Sequence, residues 1–171
     1  MTSIKADVYW IKGPWPGRLA ILARPRGADW LEDEVEAWKE IGVDTVVSLL
    51  TQSEEVELSL TEESDFVRRR GLTFINFPIA DYSVPGSQSD TRQFIDRLKD
   101  QLSRGNKVGI HCRQGIGRSS LVAACVLVTL GESSGNAFRQ IESARGVSVP
   151  DTIEQKNWVA SFAERLSASP T

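Results

Sequence analysis

Hydrophobic and polar residues along the chain follow two periods, one typical of β-strands and the other of α-helices. Short apolar runs predict strands at residues 7–11, 18–23, 43–50, 72–79 and 107–111. Apolar residues at helical spacing predict helices at residues 29–41, 61–71, 89–102, 119–130, 135–144 and 152–166. Because strands and helices alternate, we expect an α/β three-layer sandwich, in which helices flank a mainly parallel central sheet of about five strands.

Turn and cap residues set the limits of these elements. The sequence Gly-Pro-Trp-Pro-Gly at residues 13–17 predicts a turn, so the first two strands should form a hairpin. Helix caps are expected at Asp29, at Thr61 and at either Ser87 or Ser89, and Gly42 is expected to end the first helix. Residues 52–55 are expected to form a loop at the carboxyl edge of the sheet.

Length and composition are those of one globular domain. The chain has 171 residues, of which 40% are hydrophobic and 25% charged. We predict a domain over residues 1–166 and a polar tail over residues 167–171. The net charge of −3 gives no field that would attract nucleic acid or an anionic membrane, and we find neither an apolar signal segment nor a membrane span. We expect a cytoplasmic monomer that binds neither nucleic acid nor membrane.

Cysteine and histidine are scarce. The chain contains Cys112, Cys125 and a single histidine, His111. Two cysteines are too few for a disulfide framework, and one histidine is too few to complete a zinc site with them. Cys125 lies in an apolar helical run, so we expect it in the core, although a regulatory disulfide with Cys112 stays open. No metal or organic cofactor is expected.

Cys112 begins a loop that leads from a predicted strand directly into a predicted helix. Backbone N–H groups of such a tight loop converge on its centre, and the helix N-terminus adds partial positive charge. The residues expected to hold a phosphate there are Arg113, Gln114, Gly115, Ile116, Gly117 and Arg118. The same field favours a thiolate at Cys112, which would be a nucleophile. Arg118 can donate two parallel hydrogen bonds to a phosphoryl group, and Ser119 could donate its hydroxyl to the departing sulfur.

The alternative is a buried structural cysteine with an unrelated arginine six residues later. A Cys-x5-Arg spacing alone would be weak, but the preceding histidine, the two glycines and the following serine outweigh that alternative. The pattern His-Cys-x5-Arg-Ser over residues 111–119 resembles the signature of the protein tyrosine phosphatase superfamily. This resemblance implies that His111 orders the loop instead of acting as a base.

Thiolate attack on phosphorus requires an acid for the departing oxygen. Residues 77–85, Phe-Pro-Ile-Ala-Asp-Tyr-Ser-Val-Pro, follow a predicted strand and place Asp81 at the carboxyl edge of the sheet. The spacing of this segment before Cys112 resembles that of dual-specificity phosphatases, which implies that Asp81 is the general acid and later the base. The alternative is a turn-forming aspartate. Asp90, Asp96 and Asp100 are weaker candidates because they lie on or beside the next helix.

The C-terminal part adds a further resemblance. Residues 145–155, followed by Trp158 and Val159, resemble the C-terminal region of kinase-associated and related dual-specificity phosphatases. This implies that Gln155 lies near the site and positions the hydrolytic water, whereas a glutamine in the first turns of a helix is otherwise usually a surface residue. Arg113 is ambiguous, since its side chain could favour acidic substrates or point into solvent.

Together these residues predict a protein phosphatase that hydrolyses phosphotyrosine, and by resemblance phosphoserine or phosphothreonine, through a cysteinyl-phosphate intermediate. A phosphorylated protein is the expected partner. A phosphoinositide phosphatase of the same superfamily is an alternative, although such enzymes often carry loop lysines and none lies between Cys112 and Arg118. A phosphate-recognition module without turnover, a rhodanese-type sulfurtransferase and an arsenate reductase are further alternatives.

Overall fold

The computed structural model describes residues 7–168, and five strands in this range form one sheet. The strands are β1 Val8–Ile11, β2 Arg18–Leu22, β3 Thr45–Ser48, β4 Thr73–Asn76 and β5 Lys107–His111, in the order β1-β2-β5-β3-β4. Only β1 is antiparallel to its neighbour, so the sheet is mixed but mainly parallel. The predicted five-stranded sheet and the predicted hairpin of β1 and β2 are confirmed.

Helices cover both faces of the sheet. They are α1 Leu31–Ile41, α2 Gln52–Glu57, α3 Glu63–Arg69, α4 Gln88–Ser103, α5 Arg118–Val128, α6 Ser134–Arg145 and α7 Ile153–Ala168. Successive strand residues point to opposite faces, so Val47 of β3 packs in a large core with α4 to α7, whereas Val46 packs in a smaller core with α1 and α3. The predicted three-layer sandwich is therefore confirmed.

Several predicted helix limits need correction. Asp29 lies in a short 3-10 turn, Ala28–Trp30, and α1 begins after Trp30 without a side-chain cap. Thr61 does not cap α3, which begins at Glu63. The segment predicted as a loop at residues 52–55 belongs to α2, because Thr51 and Glu54 form a reciprocal capping box at its start. By contrast, Ser87 caps α4 as predicted.

The described range ends with a helix. Helix α7 runs to Ala168 and includes the first two residues of the predicted polar tail, while residues 169–171 and residues 1–6 lie outside the described range. Among the helices within residues 7–168, none is long and apolar enough to cross a lipid bilayer.

Cys125 is fully buried in the larger core, as predicted. Burial raises the pKa of its thiol well above the ordinary value, so the thiol stays protonated and unreactive. Both cysteines are free in this structure.

The topology gathers one helix and two loops at one edge of the sheet. Strands β3, β4 and β5 are parallel neighbours, so the segments that follow their carboxyl ends meet there. These segments are α2, the loop that contains Asp81, and the loop that begins at Cys112.

Candidate active site

The loop after β5 encloses the sulfur of Cys112, whose residue is only 2% exposed. The backbone N–H of Gly115 donates a hydrogen bond to Sγ over 3.3 Å. Gly115 has φ +71°, a left-handed conformation that a residue with a β-carbon adopts at a cost. Helix α5 starts directly after the loop at Arg118, so its N-terminus faces the same point. The loop therefore directs donors at the sulfur and at an anion beside it.

Arg145, at the end of α6, holds this loop from outside. Its guanidinium donates to the carbonyl oxygens of Gln114 and Gly115, both over 3.1 Å, and lies 4.3 Å from the centre of the Tyr9 ring. In a trans peptide the C=O and the following N–H point in opposite directions. Because the carbonyl groups of Gln114 and Gly115 point outward to Arg145, the N–H groups of Gly115 and Ile116 point into the loop. The N–H of Gly115 there donates to Sγ of Cys112.

We expect the Arg145→Ala variant to bind inorganic phosphate up to about 30-fold more weakly, because the loop loses two hydrogen bonds worth about 1 kcal/mol each. Inhibition of aryl phosphate turnover by phosphate measures this. Arg139→Ala is the control, because Arg139 is an exposed arginine of the same helix that contacts Asn136. Equal phosphate affinity of the two variants would contradict the role of Arg145.

Arg118 is almost fully buried and is held by a bidentate pair with Glu54 of α2. Its Nη1 and Nη2 donate to the two carboxylate oxygens of Glu54 over 2.7 and 2.8 Å, and Nη1 also donates to the carbonyl oxygen of Ile79 over 2.7 Å. Burial alone would raise the pKa of Glu54, but hydrogen bonds from Arg118 and from Thr51 bring it below its ordinary value. The pair fixes the plane of the guanidinium.

Asp81 lies against the same guanidinium. Its Oδ1 accepts a hydrogen bond from Nη2 of Arg118 over 2.9 Å and another from the backbone N–H of Tyr82 over 3.0 Å. The structure thus brings together the three residues on which the predicted chemistry depends: Cys112, Arg118 and Asp81. The other aspartates that we considered lie on α4. There Asp96 pairs with Arg92, and Asp100 pairs with Arg104, which follows the end of the helix.

His111 lies below the loop at the end of β5 and is completely buried. Its Nε2 is 2.6 Å from a carboxylate oxygen of the equally buried Glu63, and its Nδ1 is 3.4 Å from the carbonyl oxygen of Cys112. The imidazole therefore links the start of the catalytic loop to α3. This contact fits a loop-ordering residue and leaves no ring nitrogen directed at the sulfur.

Gln155 is completely buried, so the surface alternative is wrong for this residue. Its Oε1 accepts hydrogen bonds from the N–H groups of Asp151 and Thr152, and its Nε2 donates to the carbonyl oxygen of Ser83 over 3.1 Å. A β-carbon at Gly117 would overlap both this amide and the carboxylate of Asp151. Gln155 thus lies at the site, but its amide binds backbone groups of the segment before α7 and of the Asp81 loop.

Two further predicted site residues have different surroundings. The guanidinium of Arg113 forms an exposed ion pair with Glu57 over 2.8 Å and lies 3.8 Å from a carboxylate oxygen of Glu54. Ser119 is buried in the first turn of α5, and its hydroxyl has no hydrogen-bond partner within residues 7–168. Its donation to the departing sulfur stays a prediction.

Sequence reasoning missed four residues of this site: Glu54, Glu63, Arg145 and Asp151. Only Glu54 had a local signal, because Thr51-x-x-Glu54 is a capping-box pattern that predicts a helix where we expected a loop. The others reach the loop from remote positions in the chain.

Among residues 7–168, no three His, Cys, Asp or Glu side chains are grouped so that they could hold a metal ion.

Comparisons with known proteins agree with this geometry. Cyclin-dependent kinase inhibitor 3 from Homo sapiens is 29% identical over 140 residues, which are 81% of this chain and 66% of the relative. The match thus spans slightly less than two thirds of the length of this relative.

Solved structures have the same fold. The crystal structure of a kinase-associated phosphatase, with its catalytic-site cysteine replaced by serine, gives a TM-score of 0.88 at 24% identity and covers 99% of this chain and 100% of that one. Tk-PTP in its active form gives 0.76 at 28% identity, with 92% and 97% covered. A family model described as "Polymorphic toxin system, DSP-PTPase phosphatase" matches residues 20–132. The chain therefore belongs to this family of DSP-PTPase phosphatases.

Proposed function

We propose that the protein is a cysteine-dependent phosphatase that hydrolyses phosphate esters of protein side chains, phosphotyrosine and also phosphoserine or phosphothreonine. One observation carries this proposal: Arg118 joins the cysteine loop to Asp81 through a hydrogen bond of 2.9 Å, so nucleophile, anion-binding group and acid share one site. Membership of the phosphatase family supports the same reaction class. The substrate class follows from the family resemblance and from the absence of lysine in the loop sequence.

The reaction would proceed in two steps. The thiolate of Cys112 attacks phosphorus, the bond between phosphorus and the ester oxygen breaks, and that oxygen takes a proton from Asp81. Arg118 and the loop N–H groups stabilise the negative charge on the transferring phosphoryl group. Water then attacks the cysteinyl phosphate, and inorganic phosphate and the Cys112 thiolate are released.

A substrate panel tests the proposal. It contains 4-nitrophenyl phosphate, peptides with phosphotyrosine, phosphoserine or phosphothreonine, and a phosphoinositide. We expect hydrolysis of the aryl phosphate and of at least the phosphotyrosine peptide. Phosphate release from the lipid without release from any peptide would contradict the substrate class. Binding of phosphopeptides without any turnover would show a phosphate-recognition module instead.

The Asp81→Asn variant tests the acid. We expect turnover of an alkyl or phenyl phosphate to fall by about 10²-fold, the lower range for loss of a general acid, because asparagine cannot donate this proton. Turnover of 4-nitrophenyl phosphate, whose leaving group needs less protonation, should fall much less. The measurement is kcat across a series of aryl phosphates. Asp90→Asn, in the first turn of α4, is the matched control, and an equal effect on all leaving groups would exclude Asp81 as the acid.

A further inference from the structure

Asp151 is a second carboxyl group at the phosphate-binding loop. It precedes α7, and its carboxylate lies so close to Gly117 that a β-carbon at that position would overlap it unless the Asp151 side chain moved away. Gly117 is the residue from which α5 starts, so Asp151 stands at the helix N-terminus that faces the predicted phosphate. The close approach explains a glycine whose φ of −85° does not itself require one.

The charges of the site act on Asp151. Burial raises the pKa of its carboxyl above the ordinary value, Asp81 raises it further, and Arg118 partly offsets both. Independently of these charges, Asp151 approaches Gly117, the residue before Arg118, and Gln155 joins the backbone of Asp151 to the Asp81 loop at Ser83, so Asp151 lies beside both groups. Two carboxyl groups at one reaction centre are the arrangement in which one acts as acid and the other as base.

The backbone of Asp151 is fixed, whereas its carboxylate is free to take a proton. Oε1 of Gln155 accepts from the N–H of Asp151 over 3.1 Å, and Nε2 of Gln155 binds the Asp81 loop at Ser83. Within residues 7–168, the Asp151 carboxylate accepts no hydrogen bond and forms no ion pair; the residue is exposed and can exchange a proton with solvent. In contrast, Oδ1 of Asp81 already accepts hydrogen bonds from Arg118 and Tyr82.

We propose that Asp151 is the general base of the second step, in which the cysteinyl phosphate is hydrolysed, while Asp81 serves as the acid of the first step. This rests on the proposed phosphatase function. The family resemblance assigns both proton transfers to Asp81 and water positioning to Gln155. In this structure, however, the Gln155 amide binds backbone groups. The carboxylate of Asp151, which has no hydrogen-bond partner within residues 7–168, lies next to the loop.

The water oxygen bonds to phosphorus, the bond between sulfur and phosphorus breaks, and its electron pair stays on Sγ of Cys112. One proton of the water moves to the carboxylate of Asp151. The products are inorganic phosphate, the Cys112 thiolate and a protonated Asp151, which returns its proton to solvent.

Rapid mixing of the Asp151→Asn variant with 4-nitrophenyl phosphate tests the proposal. We expect a burst of nitrophenol that approaches one equivalent per protein, followed by steady-state turnover about 10²-fold slower than in the unmodified protein, the lower range for loss of a general base. Acid quenching and mass spectrometry should find phosphate on Cys112. The steady-state kcat of this variant should be the same for all leaving groups, because every substrate gives the same cysteinyl phosphate, whereas kcat of Asp81→Asn should depend on the leaving group.

The matched control is Glu154→Gln, which neutralises an exposed carboxylate at the start of α7 and should leave both phases unchanged. Vanadate binding and the midpoint of thermal unfolding establish that Asp151→Asn is folded. Steady-state turnover equal to that of Glu154→Gln would overturn the proposal, as would loss of the burst itself, which would place Asp151 in the first step. If the unmodified protein hydrolyses no substrate, the proposed phosphatase function itself fails. If the unmodified protein is active and Asp151→Asn is equally active, only the role of Asp151 fails.

Discussion

Replacement of Cys112 by serine should reduce turnover of 4-nitrophenyl phosphate by more than about 10⁴-fold, because a serine hydroxyl is not ionised near neutral pH and no other group supplies the nucleophile. Binding of inorganic phosphate should persist, since the N–H groups of the loop and Arg118 remain. The measurements are kcat and the phosphate dissociation constant of the same preparation.

Cys125→Ala is the matched control for this prediction. Cys125 is fully buried in the apolar core and burial keeps its thiol protonated, so this variant should retain kcat even if it unfolds at a lower temperature. Turnover by the Cys112→Ser protein at the rate of the Cys125→Ala protein would rule out cysteine catalysis at residue 112.

The Arg118→Lys variant should show the second-largest effect, a fall in kcat/KM of about 10³-fold, which is the upper range for loss of a donor that stabilises transition-state charge. Lysine keeps the positive charge, but it cannot bind Glu54 with two parallel hydrogen bonds or present a planar fork to a phosphoryl group. Aryl phosphate kinetics measure this, and Arg92→Lys on α4 is the control because that arginine pairs on an exposed helix surface.

A structural role of Arg118 must be separated from its part in catalysis. Glu54→Gln leaves the loop sequence intact but removes the charge of the buried partner, so it should weaken the fold and change kcat/KM less than Arg118→Lys does. The pKa of Glu54 is lowered in the folded protein, so the ionised pair stabilises the fold above the pKa of the unfolded chain, and this contribution is lost as the pH falls through the folded pKa. Urea unfolding at neutral and acidic pH should show that loss in the unmodified protein and not in Glu54→Gln. Identical pH dependence in both would contradict the assigned pair.

Local patterns were sufficient for most elements of the fold. Strand β5 occupies residues 107–111 as predicted, and Gly42 ends α1 in the left-handed conformation. Such signals depend on neighbouring residues, whose propensities and caps act within one or two turns. The prediction failed at residues 52–55, where a polar segment forms the start of α2 through a capping box and through the pair of Glu54 with Arg118.

The loop of residues 111–119 could be identified from the sequence, because the cysteine, the glycines and the arginine lie within nine consecutive positions. The residues that hold this loop are visible only in the folded chain. Arg118 meets Glu54 across 64 positions of the chain, His111 meets Glu63 across 48, and Arg145 meets Gly115 across 30. No local pattern encodes these pairs. They form because parallel strands bring the ends of separate segments to one edge of the sheet, where a buried charge is stable only beside a partner.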